Sequence, residues 1–283
     1  MSPDQESVPP GEAAEPQGTP SIQRPVYYQR PGFWLILITS LLVIGIGWAV
    51  LDSVRDVTGL KTANPGETAF MRYRAREAQE KGRKPQRQHT WTPLAKISPA
   101  LIQAVLISED DKFFQHEGFD WEGVKIAMER NLEKKRLSRG GSTITQQLAK
   151  NLFLSPSRNP IRKVREAVLA YQLEKVLSKK RILELYLNVI EWGDGVYGVG
   201  AASRRFFNKS AAELSVEESI RLASVLPNPI RYSPTRDNNK RMNNQRQVLA
   251  ERMFKRRLLD EALLAELRQR FQNPSHMNRE EKP

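Results

Sequence analysis

From residue 32 to residue 51 the chain reads GFWLILITSLLVIGIGWAVL, an unbroken run without a charge. At ~1.5 Å of rise per residue, a helix of this length covers the ~30 Å hydrocarbon core of a bilayer. Trp34 and Trp48 stand near its two ends, where indole rings favour the interface. A cleaved signal peptide fits less well, because the run is long and leads into WAVLDS without a small-residue cleavage site. The pattern therefore predicts one transmembrane anchor over residues 32–51. Flanking charge does not orient it: Arg24 and Arg30 precede the run, and Arg55 and Lys61 follow it.

On either side the periodicity changes. Residues 1–30 are rich in Pro, Glu, Gln and Ser and predict a disordered tail. Residues 52–97, with Pro65, Pro85, Pro93 and many charges, read as a linker. From Ser98 the spacing is helical. Ser98 is an expected N-cap with Pro99 at the first helical position, and Leu101, Ile102, Val105 and Leu106 share a face. Further helices are predicted over residues 121–134, 143–152, 161–177, 179–187 and 216–225. The last opens on Ser215-Val216-Glu217-Glu218, a capping-box spacing. Residues 240–270 predict one or two amphipathic basic helices. Strand signals are scarce, so residues 98–235 are expected to form a mainly α domain, followed by a basic helical tail over 236–283.

Composition narrows the partners. At 283 residues the chain holds one domain of ordinary size plus flanks. An excess of 45 Lys+Arg over 32 Asp+Glu gives +13, which suits polyanions: nucleic acid, anionic headgroups or phosphorylated substrates. The chain has no cysteine, which excludes a disulfide framework, a thiolate metal site and a Cys nucleophile.

Three clusters carry candidate chemistry. Glu109 falls at the expected C-terminal end of the helix that starts at Pro99. The negative end of the helix dipole and the adjacent Asp110 and Asp111 both push its pKa upward, the direction a general base near neutral pH needs. A solvated acidic helix end is the plainer account, and His116 alone is more often structural than catalytic. The second cluster runs through residues 139–151. Thr143, Gln147 and Lys150 share one helical face, with Gln146 beside them, while Ile144, Leu148 and Leu152 take another. The glycine turn and the Ser142-Thr143 start leave backbone N–H groups at the positive helix end, a natural anion site; a capped surface helix is the alternative. The third cluster is Arg162, Lys163 and Glu166, which can share a face as an exposed ion pair or as a carboxylate held among phosphate-binding cations.

Taken in order, EDxxFxxHxG at residues 109–118, GGSTxTQQxxKN at 140–151 and RKxxE at 162–166 resemble the motifs of the peptidoglycan glycosyltransferase family. KRILELYLN at 180–188 is similar to that family's next block, and the likeness spans residues 98–232. The same domain heads the bifunctional penicillin-binding proteins. No S-x-x-K or K-T-G appears here, so the chain resembles the monofunctional form.

The resemblance implies a mainly α, lysozyme-like, two-lobed fold acting on lipid II and the growing glycan chain at a membrane. It implies that Glu109 is the catalytic base, with Glu166 as second catalytic carboxylate orienting cations or a divalent metal. Lys150, Arg162 and Lys163 would neutralise a departing diphosphate, and Ser142, Thr143, Gln147 and Asn151 would line the donor pocket. Asp110, Phe113 and His116 would hold the Glu109 loop. Metal use stays open, with Mg2+ or Mn2+ as the candidates and Glu166 as the one candidate ligand. The implied topology is N-terminus in the cytoplasm and the domain on the outer face of the cytoplasmic membrane. Cell-division or elongation proteins are candidate partners, and no nucleic-acid motif is present. Two rivals remain at this level: a glycan hydrolase on the same scaffold, which needs no cationic row, and a basic membrane-tethered binding module.

Overall fold

The computed structural model describes residues 31–134, 141–156, 159–236 and 239–272. The expected disordered tail at 1–30 lies outside the described residues, as do Arg139 and Gly140 of the glycine turn. The chain divides by contacts into residues 1–45 and residues 46–283.

The apolar run forms α1 (Pro31–Ser53). By length and composition it can cross a membrane, with a mean hydropathy of 2.4 over Pro31–Asp52. Leu35, Ile38 and Val43 are exposed along it, as a lipid-facing helix requires.

The second unit is mainly α, as expected, and its core is built from amphipathic helices. Leu101, Ala104, Val105 and Ile107 of α3 (Pro99–Glu109) are buried. They pack toward α9 (Val216–Val225) and α10 (Lys240–Lys255). Helix α5 (Ile144–Phe153) packs against α2 (Ala69–Glu80), α6 (Pro160–Val176) and α7 (Lys179–Val189). Its Ile144, Leu148, Ala149 and Leu152 are buried, while Gln147 and Lys150 stay partly exposed. Full burial of each large aliphatic side chain contributes roughly 1.5–3 kcal/mol. The inward face therefore fixes the direction of the polar one.

Caps explain where several helices begin. Thr143 and Gln146 form a capping box at α5, and Ser215 and Glu218 form the one expected at α9. Ser98 departs from expectation. It stands before α3, but its hydroxyl donates to the Leu214 carbonyl at 3.0 Å and caps nothing. Its role is to tie α3 to the entry of α9.

A small sheet of β1 (Gln88–His89), β2 (Glu191–Gly193) and β3 (Val196–Tyr197) has the order β1-β3-β2. Strand β1 runs parallel to β3, and β2 runs antiparallel to it. Between β2 and β3, Gly195 has φ +71°, and a Cβ there would lie 2.6 Å from the Gln86 carbonyl oxygen. Only glycine permits that close approach.

Residues 52–97, expected as a linker, are largely structured. They carry α2 and β1, and Val57 and Met71 are buried. Asp52 pairs with Arg165 of α6 at 2.8 Å, and the Arg55 N–H donates to Gln172 at 3.1 Å. Residues 240–270 form α10 and α11 (Glu261–Gln272), which pack on each other, and Arg246 on α10 is fully buried. Helices α4 (Trp121–Lys134) and α8 (Val199–Phe207) complete the described elements.

Candidate active site

Glu109 is the last residue of α3, partly buried at the edge of a cleft. Gln147 on α5 donates its amide N–H to Glu109 Oε2 at 2.9 Å, and Tyr186 on α7 donates its hydroxyl to Gln147 Oε1 at 3.1 Å. Among the described residues, Oε1 of Glu109 makes no hydrogen bond, so one carboxylate oxygen stays available. Burial raises the Glu109 pKa, with a smaller push from the Asp110 charge; the Gln147 hydrogen bond and the Lys150 ammonium oppose the rise. The direction matches the expectation from sequence, but the leading cause is burial. Asp111, expected to contribute, turns away to Arg256 at 2.6 Å, the residue that caps the C-terminal end of α10, and to Arg252 of α10 at 3.4 Å.

Asp110, Phe113 and His116 lock the segment after Glu109. His116 Nε2 lies 2.9 Å from Asp110 Oδ1, and Asp110 Oδ2 accepts from the Ile144 N–H at 2.9 Å. Phe113 is buried and meets the His116 ring edge-on at 6.3 Å. This arrangement corrects the expected anion site at the start of α5. The positive helix end is occupied by the protein's own Asp110 carboxylate, which welds α5 to the end of α3. Thr143 and Gln146, expected on the donor face, are buried as caps, and Thr143 also donates to the Gly118 carbonyl at 2.7 Å.

One turn along α5 from Gln147 is Lys150. Burial lowers its pKa, as do the charges of Arg162 and Lys163, while Glu166 and Glu109 raise it. Glu166 is 3 % exposed. It accepts from Arg162 at 2.7 Å and pairs with Lys163, which also donates to Ser142 Oγ at 3.2 Å. The exposed-pair account of the third cluster therefore fails, because its carboxylate is buried.

Two cavities flank this row. One of about 140 Å³ is lined by Glu109, Asp111, Asp120, Ser142, Thr143 and Arg252, among others. The other, about 440 Å³, is lined by Gln147, Lys150, Asn151, Tyr186, Glu191 and the segment 226–230. The structure thus sets the base at the end of α3 beside the amide donors and cation of α5 and the Arg162–Lys163–Glu166 group at the start of α6.

A sequence model of the family described as Transglycosylase matches residues 76–254. The chain belongs to the transglycosylase family. Among curated relatives, a protein named biosynthetic peptidoglycan transglycosylase from Dechloromonas aromatica is 49% identical over 72% of this chain and 89% of its own length. Proteins of the same name from Azoarcus sp. (52% identical, 70% of this chain and 84% of theirs) and Laribacter hongkongensis (47%, 68% and 84%) are similar.

Within this transglycosylase, three contributors escaped the sequence reading. Tyr186 was quoted only as part of a motif block, yet it is buried with its hydroxyl on Gln147. A lone hydroxyl on the apolar face of α7 was the available signal. Arg252 and the segment 226–230 line the cavities from regions whose spacing carries no sign of proximity.

Proposed function

We propose that this transglycosylase polymerises lipid II into β-1,4-linked glycan strands at a membrane surface, releasing undecaprenyl diphosphate. The observation that most supports this reading is the common face of α5. Gln147 is bonded to Glu109, and Lys150, one turn on, faces the same cleft amid Arg162, Lys163 and Glu166. The free Oε1 of Glu109 accepts the proton of the acceptor's 4-hydroxyl. That oxygen attacks the anomeric carbon, the bond to diphosphate breaks, and configuration inverts in one displacement. Charge gained by the departing diphosphate is met by Lys150, Arg162 and Lys163, with Glu166 holding the last two in place. Ser142 and Asn151 complete the donor side.

A divalent ion fits this site poorly as a protein-held cofactor. Both Glu166 oxygens are engaged by cations, and no group of three His, Asp or Glu residues among the described residues can hold a metal.

The apolar α1 supports membrane anchoring, and polyprenyl-linked reactants require an active site at the bilayer. We place the N-terminus in the cytoplasm and the domain outside, where division or elongation proteins are candidate partners. Trp121, 73 % exposed, and Ile126 are candidates for lipid contact; the side chain of Met128 lies outside the described residues.

Incubating the full chain with lipid II, with and without Mg2+, and separately with finished sacculi tests the reading. Consumption of lipid II with appearance of polymer is expected. Digestion of sacculi without polymer would make the chain a hydrolase instead.

A further inference from the structure

A further cavity lies outside the catalytic row. It measures about 520 Å³ and is lined by residues of α2, the segment 83–86, the β2–β3 turn and α8. Its wall is charged: Arg74, Arg83, Lys84 and Arg205 face Glu191 and Asp194. The carboxylates are already committed. Glu191 bonds Arg74 at 3.2 Å and accepts from the Gly195 N–H at 3.1 Å, while Asp194 pairs with Arg74 at 3.2 Å and Arg83 at 3.3 Å. Lys84 and Arg205 are exposed and make no ion pair among the described residues. The pocket therefore presents two uncommitted cations on a scaffold that the Arg74–Glu191 pair holds rigid.

Glu191 lines this pocket and also the cleft that contains Gln147 and Lys150. Glu191 is thus a wall that the cleft and the charged pocket share. On the proposed function, the substrate has three chemically distinct parts besides its sugars. The polyprenyl tail is apolar and unsuited to a wall of Arg, Lys, Asp and Glu. The diphosphate already has Lys150, Arg162 and Lys163. The remaining part is a peptide, which carries at least a terminal carboxylate.

We propose that this pocket is a subsite for the carboxylate-bearing peptide of the glycan substrate, with Lys84 and Arg205 as its anion receptors. The inference rests on the proposed function but concerns residues with no part in the bond-forming step. Arg74 and Glu191 are positioning residues that keep the pocket open beside the cleft.

The test is the full chain with Lys84→Ala and Arg205→Ala combined. It is compared with wild type on the lipid-linked substrate with free peptide carboxylates and on the same substrate with those carboxylates amidated. In neutral detergent, KM for the free acid should rise about fivefold, the scale of two exposed ion pairs, with kcat unchanged. The two proteins should not differ on the amidated substrate. An equal KM change on both substrates, or none on either, overturns the proposal. A defect confined to anionic vesicles and absent in neutral detergent assigns the two cations to lipid headgroups and overturns it as well. Calorimetric titration with a soluble disaccharide-peptide, free or amidated, probes the pocket without turnover. There the wild type should prefer the free acid and the double variant should not. That readout keeps its meaning even if wild type fails to polymerise, an outcome that would count against the proposed function and not against the pocket.

Discussion

Glu109 and Glu166 are the same side chain in opposite surroundings. Glu109 closes α3 at a cleft, with one oxygen held by a neutral amide and the other without a protein partner. Glu166 sits within α6, nearly fully buried, and its two oxygens are taken by Arg162 and Lys163. Burial leaves the first with a raised pKa and a standing affinity for a proton. The second is matched by opposite charge and serves to arrange its partners. A carboxylate's chemistry is thus set by what meets its oxygens: a neutral donor and a cleft give a base, and two cations give a fixed anchor.

The contrast can be broken from either side. Glu109→Gln removes the proton acceptor while keeping the Gln147 contact geometry. Polymerisation of lipid II should fall by about 10³-fold, within the range for a general base, with donor binding retained. Turnover near wild type would reassign the base. Lys150→Ala should weaken binding of a diphosphate-bearing donor analogue by about 10- to 100-fold, the scale of a lost charge-assisted hydrogen bond, as read by equilibrium titration. Glu166→Gln leaves Arg162 and Lys163 without their shared counter-charge. Thermal unfolding should show a loss of about 2 kcal/mol, less than for a wholly buried pair because Lys163 is half exposed and rehydrates. If Glu166→Gln instead matched Glu109→Gln in activity at full stability, the two carboxylates would share the proton chemistry.

The mildest change sharpens the pH behaviour. Glu109 acts as a base only when ionised, so activity rises with pH as its carboxyl deprotonates. Gln147 donates to the ionised form and holds the pKa down. Gln147→Leu should therefore move the acid limb of kcat/KM to higher pH, with about a fivefold loss at acid pH, the scale of one hydrogen bond to a charged group. At alkaline pH the loss should shrink. A uniform loss across the profile would show that Gln147 binds substrate without tuning the base.

Much of this site could be read along the chain because it lies on helices. The 3.6-residue repeat places Gln147 and Lys150 on one face of α5 and Arg162 with Glu166 on one face of α6. The last residue of α3 was legible from Pro99 and the run of apolar positions behind it. What failed were inferences about single groups whose partners come from elsewhere. Ser98 gives its hydroxyl to Leu214, over a hundred residues away, instead of capping its own helix. Of the N–H groups opening α5, that of Ile144 goes to Asp110 and that of Gln146 to the Thr143 hydroxyl, not to a ligand. Residues 52–97 contain the Pro and charge of a linker, yet α2 supplies a wall of the cleft because Phe70 packs there.

The C-terminal helices show the same limit. Their amphipathic pattern announced helices, but left open whether the basic tail packs on the domain or lies free. Arg246 is fully buried, donating to the carbonyls of Ser233, Pro234 and Arg236 and to Asn243. It fixes the segment that follows Pro227–Ile230 at the cleft. An arginine exposed and an arginine enclosed by carbonyls are the same letter in the sequence.

The sequence by itself determined the apolar anchor, the helical order of the catalytic unit and which side chains share each helical face. Those follow from local periodicity and from covalent neighbours. The tertiary structure alone decided that burial is the leading cause of the raised Glu109 pKa, that Asp110 fills the end of α5, and that Arg252 and α2 each line a cavity beside the catalytic row. Desolvation and long-range hydrogen bonding depend on atoms brought near by folding, and no spacing along the chain encodes that distance.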